Sequence, residues 1–90
     1  MKKAILDGNV IKDRADLHDA LKSSLGLPEW YGRNLDALYD CLTDISEDTT
    51  IVIKDADALK KSLGAYAEGL LSVLRGAADK NPRITAAEEY

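Results

Sequence analysis

Three aspartates at one-turn spacing are the residues of this chain with the clearest potential for chemistry. Asp36 and Asp40 lie in the segment PEWYGRNLDALYDCLT, which runs from Pro28 to Thr43, and Asp44 follows it directly. Side chains four residues apart share one face of a helix, where like charges cost roughly 0.2–0.5 kcal/mol per pair. The positive end of the helix dipole explains Asp36 but neither of the other two. The residues leave two interpretations open, a solvated acidic face or a surface for a cationic partner.

Catalysis and metal binding are poorly supported by the same residues. Asp36 and Asp40 could act as acid and base, but they project from an exposed helix face and not from a cleft that raises one pKa. Their spacing matches no calcium loop. His18, the single histidine, is interpreted as a structural or surface residue, and Cys41, the single cysteine, as a buried, inert thiol. With no phosphate loop or dinucleotide motif present, we predict a protein that is not an enzyme and uses no cofactor or metal.

Aromatic residues next to the aspartates favour protein recognition. Trp30, Tyr31 and Tyr39 supply rigid contact area at a low entropy cost, and carboxylates accept paired hydrogen bonds from arginine. Gly32 would let the loop backbone approach a partner closely. One or two of the rings could instead fill the core of a chain without phenylalanine, and for Tyr31 we favour that alternative.

A short helix is expected to present the aspartates. Asn34 is a suitable N-cap, because its side-chain oxygen can accept hydrogen bonds from backbone N–H groups two or three residues later. That register separates two faces of the helix. The apolar face carries Leu35, Leu38 and Leu42, and the acidic-aromatic face carries Asp36, Tyr39, Asp40 and Thr43.

Other elements follow from capping residues and hydrophobic periodicity. Asp13 or Asp16 can cap a first helix, which Gly26 ends. Lys3 to Leu6 is an apolar arm that ends at Asp7-Gly8, and local rules predict a hairpin there with Val10-Ile11 as its second arm. The remaining predictions are a strand at 49–53 buried on both faces, a brief helix capped by Asp55 through Leu63, a longer helix carrying Tyr66, Leu70, Val73, Leu74 and Ala77, and a short strand around Ile84 and Thr85.

The order of these elements predicts an α/β fold. A strand, two helices, a strand, two helices and a strand require crossover connections, and therefore a small parallel sheet with helices packed against it. Gly69 and Gly76 weaken the last helix by about 1 kcal/mol each relative to alanine.

Length and charge narrow the class of protein further. A chain of 90 residues predicts one domain spanning 1–90 with a single core. A net charge of −4 and a pI near 4.8 disfavour nucleic acid and favour basic partners. The apolar run after the two N-terminal lysines is too short for a signal peptide or a membrane span. We therefore expect a cytoplasmic protein that binds neither nucleic acid nor membrane.

The run LPEWYGRNLDALYDCLT, preceded by DLHDALKSSLG, closely resembles the barstar family of intracellular ribonuclease inhibitors. The resemblance is dense from KKAIL to Thr43, weaker through IVI and SVLR, and poor in the last eight residues. It implies a three-stranded parallel sheet with about four helices, which overrides the hairpin. It also implies that a loop and a helix plug the active site of an extracellular, guanyl-specific ribonuclease of barnase type, with carboxylates in the places of RNA phosphates.

The same resemblance implies a role for individual residues. Asp40 would be the central anion and Asp36 the second. Family members are acidic at the positions of Arg33, Gly76 and Lys80, so weaker electrostatics or a different target nuclease are implied. The residues that would pack around the two anions are Trp30, Gly32, Asn34, Leu35, Tyr39 and Thr43.

The predicted function is therefore inhibition of a basic secreted ribonuclease, bound one to one by a protein that is monomeric when free. The main alternative is an interaction or immunity module of the same fold for another basic toxin or protein. A small metal-dependent hydrolase is a further alternative, supported only by the carboxylate spacing.

Overall fold

Three strands, separated by two pairs of helices, follow one another along the chain in the predicted order. The computed structural model describes residues 2–89. The strands contain 6, 6 and 5 residues, and the helices range from 8 to 16 residues. The elements are β1 (Lys2–Asp7), α1 (Arg14–Leu25), α2 (Leu35–Thr43), β2 (Thr49–Lys54), α3 (Ala56–Leu63), α4 (Ala65–Lys80) and β3 (Ile84–Glu88).

The strands form one parallel sheet in the order β1-β2-β3. The register places Ile5 beside Val52 and Val52 beside Ala87. Parallel neighbours need crossover connections, and the helix pairs α1–α2 and α3–α4 supply them. The predicted three-stranded parallel sheet and the α/β class are confirmed.

The local hairpin prediction is wrong. The backbone after Asp7 forms a turn, and β1 pairs along its whole length with β2. Val10, the proposed second arm, is 68% exposed. A two-residue arm offers few hydrogen bonds and little burial, whereas the central strand β2 gives all six residues of β1 a paired neighbour.

The core lies between one face of the sheet and the helices. Ala4 and Leu6 of β1 and Ile51 and Ile53 of β2 are buried on this face, and Leu17 of α1 is buried in the same cluster. On the opposite face Val52 is also buried, whereas Ile5 remains 48% exposed. The β-branched run of the central strand is therefore buried on both faces around Val52, as predicted.

The residues predicted to begin and end the helices do so with one exception. The side chain of Asp13 accepts from the N–H of Asp16 at 2.8 Å, and Gly26 ends α1 in the left-handed conformation. Asp55 precedes α3 but makes no side-chain cap. Its carboxylate accepts instead from the side-chain amide of Asn9, so the predicted capping role of Asp55 is wrong.

Helices α2 and α4 pack closely where α4 carries its two glycines. A Cβ added at Gly69 would lie 2.9 Å from Cδ1 of Leu35, and one at Gly76 would lie 3.5 Å from Cε1 of Tyr39. These glycines are two helical turns apart and therefore share one face. The glycines weaken α4, but because they have no side chain they allow α2 to approach it closely. This contact sets the position of α2 on the molecule.

Candidate protein-binding surface

Helix α2 and its C-cap residue hold three aspartates on the surface, and none of their side chains has a hydrogen-bond or ion-pair partner within residues 2–89. Asp36, Asp40 and Asp44 are all exposed. Ten of the sixteen acidic side chains accept a hydrogen bond or join an ion pair within residues 2–89. The six acidic side chains without such a contact include Asp36, Asp40 and Asp44. Within residues 2–89 most acidic side chains therefore have a partner, whereas one face of α2 and its C-cap carry unpartnered charges, which is an unfavourable arrangement for folding alone.

Asn34 fixes where this helix begins. Its side-chain oxygen accepts from the N–H of Ala37 at 2.8 Å, and its side-chain amide donates to the carbonyl of Gly32 at 3.2 Å. The first contact confirms the predicted N-cap. The second ties the preceding loop to the helix start, so the loop and the acidic face have a defined relative position.

The remaining side chains of the predicted site on α2 are partly buried against the rest of the protein. Tyr39 and Leu35 are half-buried, since both contact the glycine face of α4. The hydroxyl of Thr43 donates to the carbonyls of Tyr39 and Asp40, at 3.0 and 3.1 Å. Leu38 and Leu42 are fully buried, so the two predicted faces of the helix are confirmed.

The loop before α2 turns two adjacent aromatic residues in opposite directions. Trp30 is 80% exposed, whereas Tyr31 is 4% exposed. The N–H of Tyr31 donates to the carbonyl of Pro28 at 2.9 Å, which closes a turn around Trp30. The core interpretation of Tyr31 is confirmed. An exposed tryptophan gains nothing from folding, so its large apolar surface remains available to a partner.

Tyr31 is held inside by a buried histidine. Nδ1 of His18 lies 2.6 Å from the hydroxyl of Tyr31, and Nε2 lies 2.7 Å from that of Tyr66. Burial lowers the pKa of His18, the nearby Arg33 lowers it further, and Asp19 partly opposes them. A neutral imidazole has one donor and one acceptor, which matches two hydroxyl groups. The structural interpretation of His18 is confirmed.

A cleft separates the loop from the acidic face of α2. It has a volume of about 420 Å³. Asp40 and Asp44 border it together with Trp30, so carboxylates and an indole face the same space. The other lining residues, which the sequence reasoning did not assign to the site, are Lys2, Leu25, Gly26, Leu27, Pro28, Cys41 and Ile45.

Cys41 is half-buried at this cleft and not fully buried as predicted. Burial raises the pKa of its thiol, and the negative charges of Asp40 and Asp44 raise it further. Since the thiolate is the reactive form, the neutral thiol contributes apolar surface to the cleft.

All eight residues predicted to bind a partner lie in the loop or on α2. Trp30, Gly32, Asn34, Asp36 and Asp40 are exposed, and Leu35, Tyr39 and Thr43 are half-buried. Neither Gly76, beside Tyr39, nor Lys80, exposed at the end of α4, adds negative charge to this surface.

Within residues 2–89, no group of three or more His, Cys, Asp or Glu side chains is arranged to hold a metal ion. None of the helices in that range combines the length and apolar character needed to cross a membrane.

The fold and this surface define a small α/β protein that exposes an indole beside a row of carboxylates with no ion pair within residues 2–89. The chain matches the family model described as Barstar (barnase inhibitor) over residues 1–88, and it belongs to that family. It is also similar to the Bacillus subtilis (strain 168) protein named "Putative ribonuclease inhibitor YrdF", with 42% identity over 81 residues, or 89% of each chain. Family membership confirms the resemblance and the prediction of an inhibitor-class protein that is not an enzyme.

Proposed function

We propose that this protein is an intracellular inhibitor of a basic, secreted ribonuclease of barnase type. It is a monomer when free and binds the ribonuclease one to one. The family description and the name of the Bacillus subtilis relative support ribonuclease inhibition. The observation that carries the proposal is the row of exposed aspartates on α2 and its C-cap, unpaired within residues 2–89, beside the exposed Trp30. A basic protein cleft would offer these carboxylates the cations that residues 2–89 do not supply.

Charge mimicry is the proposed mechanism. A ribonuclease active site is built to bind phosphates, so its cations are already oriented toward a polyanion. In our proposal Asp40 occupies the central phosphate position and Asp36 the second. The net charge of −4 would speed the encounter with a basic enzyme, because long-range attraction mainly raises the association rate.

The cleft between the loop and α2 has the chemistry to receive an arginine side chain. Asp40 and Asp44 on one side can accept its planar fork of N–H groups. Trp30 offers an aromatic face for stacking, which attracts a guanidinium group, and Leu27 and Ile45 can contact the aliphatic stem. Exposed carboxylates and an exposed indole would then be buried together in the complex.

The direct test is titration of a barnase-type ribonuclease with this protein while RNA cleavage is followed at low and moderate salt. We expect stoichiometric inhibition by the parent, with weaker binding at higher salt, and a loss of at least a hundredfold in affinity for Asp40→Ala. Asp57→Ala removes an exposed carboxylate of α3 and serves as the matched control, which should inhibit like the parent.

Measuring the stability of Asp40→Ala shows whether a loss of inhibition comes from lost binding or from lost folding. Asp40→Ala removes like-charge repulsion on α2 and introduces the best helix former, so it should be at least as stable as the parent in urea unfolding. Unimpaired cleavage at micromolar excess of the folded parent would rule out inhibition of this enzyme class.

A second candidate function is binding of another basic toxin or protein through the same surface. Gly76 and the cation Lys80 favour it, because they make the end of α4 less acidic than the resemblance implies for family members. This alternative predicts no effect on ribonuclease activity but the same dependence on Asp40 when the basic partner is tested.

A further inference from the structure

Residues 28–34, called the binding loop here, have an unusual backbone conformation at Arg33. Its φ is 56°, in the left-handed region that non-glycine residues rarely adopt. A long, unbranched cation has no intrinsic preference for this conformation, unlike asparagine or glycine. Contacts elsewhere in the molecule must therefore hold Arg33 in place.

Those contacts come from α1. The guanidinium of Arg33 pairs with the carboxylate of Asp19 at 2.5 Å and donates to the carbonyl of Ala15 at 3.4 Å. Asp36 is only three residues from Arg33 in sequence and has no ion pair within residues 2–89. The cation is thus directed toward α1 and away from the acidic face of α2.

A second attachment of the binding loop to α1 lies two residues earlier. The hydroxyl of Tyr31 contacts Nδ1 of His18, the residue next to Asp19. Gly32 lies between the two attached residues, and Trp30 directly precedes them. The exposed part of the loop is therefore held from behind by one stretch of α1.

We propose that Arg33 and Asp19 are a positioning pair that holds the binding loop in the conformation in which Trp30 and Gly32 meet the partner. The proposal rests on the proposed function. It assigns Arg33, which stands where the resemblance implies an acidic residue, a role behind the interface and not at it. The pair is partly exposed, at 42% and 64% of the side chains, so its effect should be local to the loop and small on global stability.

A charge exchange tests this role without depending on any partner. Arg33→Asn suits the left-handed backbone but removes the cation, Asp19→Asn removes the anion, and the double variant D19R/R33D restores an opposite pair. The reporter is hydrogen exchange at the amide of Tyr31, which is bonded to Pro28, with the amides of β2 as the reference for global unfolding. We expect exchange at Tyr31 three- to fivefold faster in each single variant, a return to within twofold of the parent in the double variant, and unchanged β2 amides.

Ribonuclease inhibition provides the second readout. Each single variant should weaken inhibition at least threefold and the double variant should restore it, whereas Asp57→Asn, with the same charge change as Asp19→Asn, should have no effect. Unchanged exchange at Tyr31 in the single variants, or a double variant that restores neither readout, would overturn the proposal. If the parent itself fails to inhibit, the proposed function is lost, and the exchange data still decide whether the pair holds the loop.

Discussion

The carboxylate of Asp40 lies one helical turn from that of Asp36 and one from that of Asp44, and none of the three has an ion pair within residues 2–89. Each like-charge pair costs the free protein about 0.2–0.5 kcal/mol. A partner's arginine would replace this repulsion with attraction. The residue that is least favourable on α2 for folding is, in our proposal, the one that contributes most to binding.

His18 is a residue whose contribution depends on pH. Burial lowers its pKa below the usual 6.5, so the unfolded chain binds the proton more readily than the folded one. The free energy of unfolding should therefore change little between pH 7 and 8 and fall as the pH decreases below 6.5, with a slope of at most about 1.4 kcal/mol per pH unit for one proton. Urea unfolding from pH 8 to pH 5 measures this slope.

His18→Gln is the matched control for that prediction. A glutamine amide can still donate to one hydroxyl and accept from the other, but it does not titrate. The variant should lose the slope between pH 6.5 and 5, since His18 is the chain's single histidine. A slope that persists in the variant would assign the pH dependence to other groups.

At the scale of elements, the contact between α2 and α4 determines where the acidic face stands. Gly69 accommodates Leu35 at the start of α2, and Gly76 accommodates Tyr39 one turn later. The closer contact at Gly69 leaves no room for a Cβ unless Leu35 moves, whereas Gly76 has ordinary van der Waals space. The two glycines therefore differ in how they should respond to substitution.

Gly76→Glu should improve both stability and binding. Replacing a helical glycine stabilises α4 by roughly 0.5–1 kcal/mol, and the new carboxylate would extend the acidic surface beside Tyr39. We expect a higher urea midpoint and an association rate with the basic ribonuclease that rises severalfold at low salt. Gly76→Gln, which has the same shape without the charge, should share the stability gain but leave the association rate near that of the parent.

For the whole molecule, the tightest backbone approach at a glycine joins the end of β1 to the segment between β2 and α3. A Cβ at Gly8 would lie 2.3 Å from the carbonyl oxygen of Asp55 and 2.7 Å from the amide nitrogen of Leu59. The N–H of Gly8 also donates to the carbonyl of Lys54 at 2.8 Å. The end of β1 thus packs directly on the backbone that leads from β2 into α3.

Gly8→Ala should destabilise the protein by more than about 2 kcal/mol, because backbone atoms cannot move aside as the end of a side chain can. That is a large part of the stability of a domain of this size. A fall in the urea midpoint with an unchanged slope would show it. Gly64→Ala, where nothing lies near the added Cβ but φ is +59°, separates steric overlap from backbone strain and should cost less.

Local patterns in the sequence predict most of the elements and their order correctly, because caps and hydrophobic stripes act over a few residues. Asp13 and Asn34 begin their helices and Gly26 ends one, as their local chemistry predicts. The resemblance also identified the family, since its motif is one continuous run along the chain. The roles of Asp36 and Asp40 in binding stay a prediction.

The contacts between distant segments follow from the packing of the whole fold. The partner of β1 is β2, more than forty residues later, and local turn rules could not anticipate that pairing. The opposite directions of Trp30 and Tyr31 depend on His18 reaching the loop from α1. The pairing of Arg33 with Asp19 and the cleft beside α2 arise in the same way, because each requires surfaces that exist only after the helices have packed on the sheet.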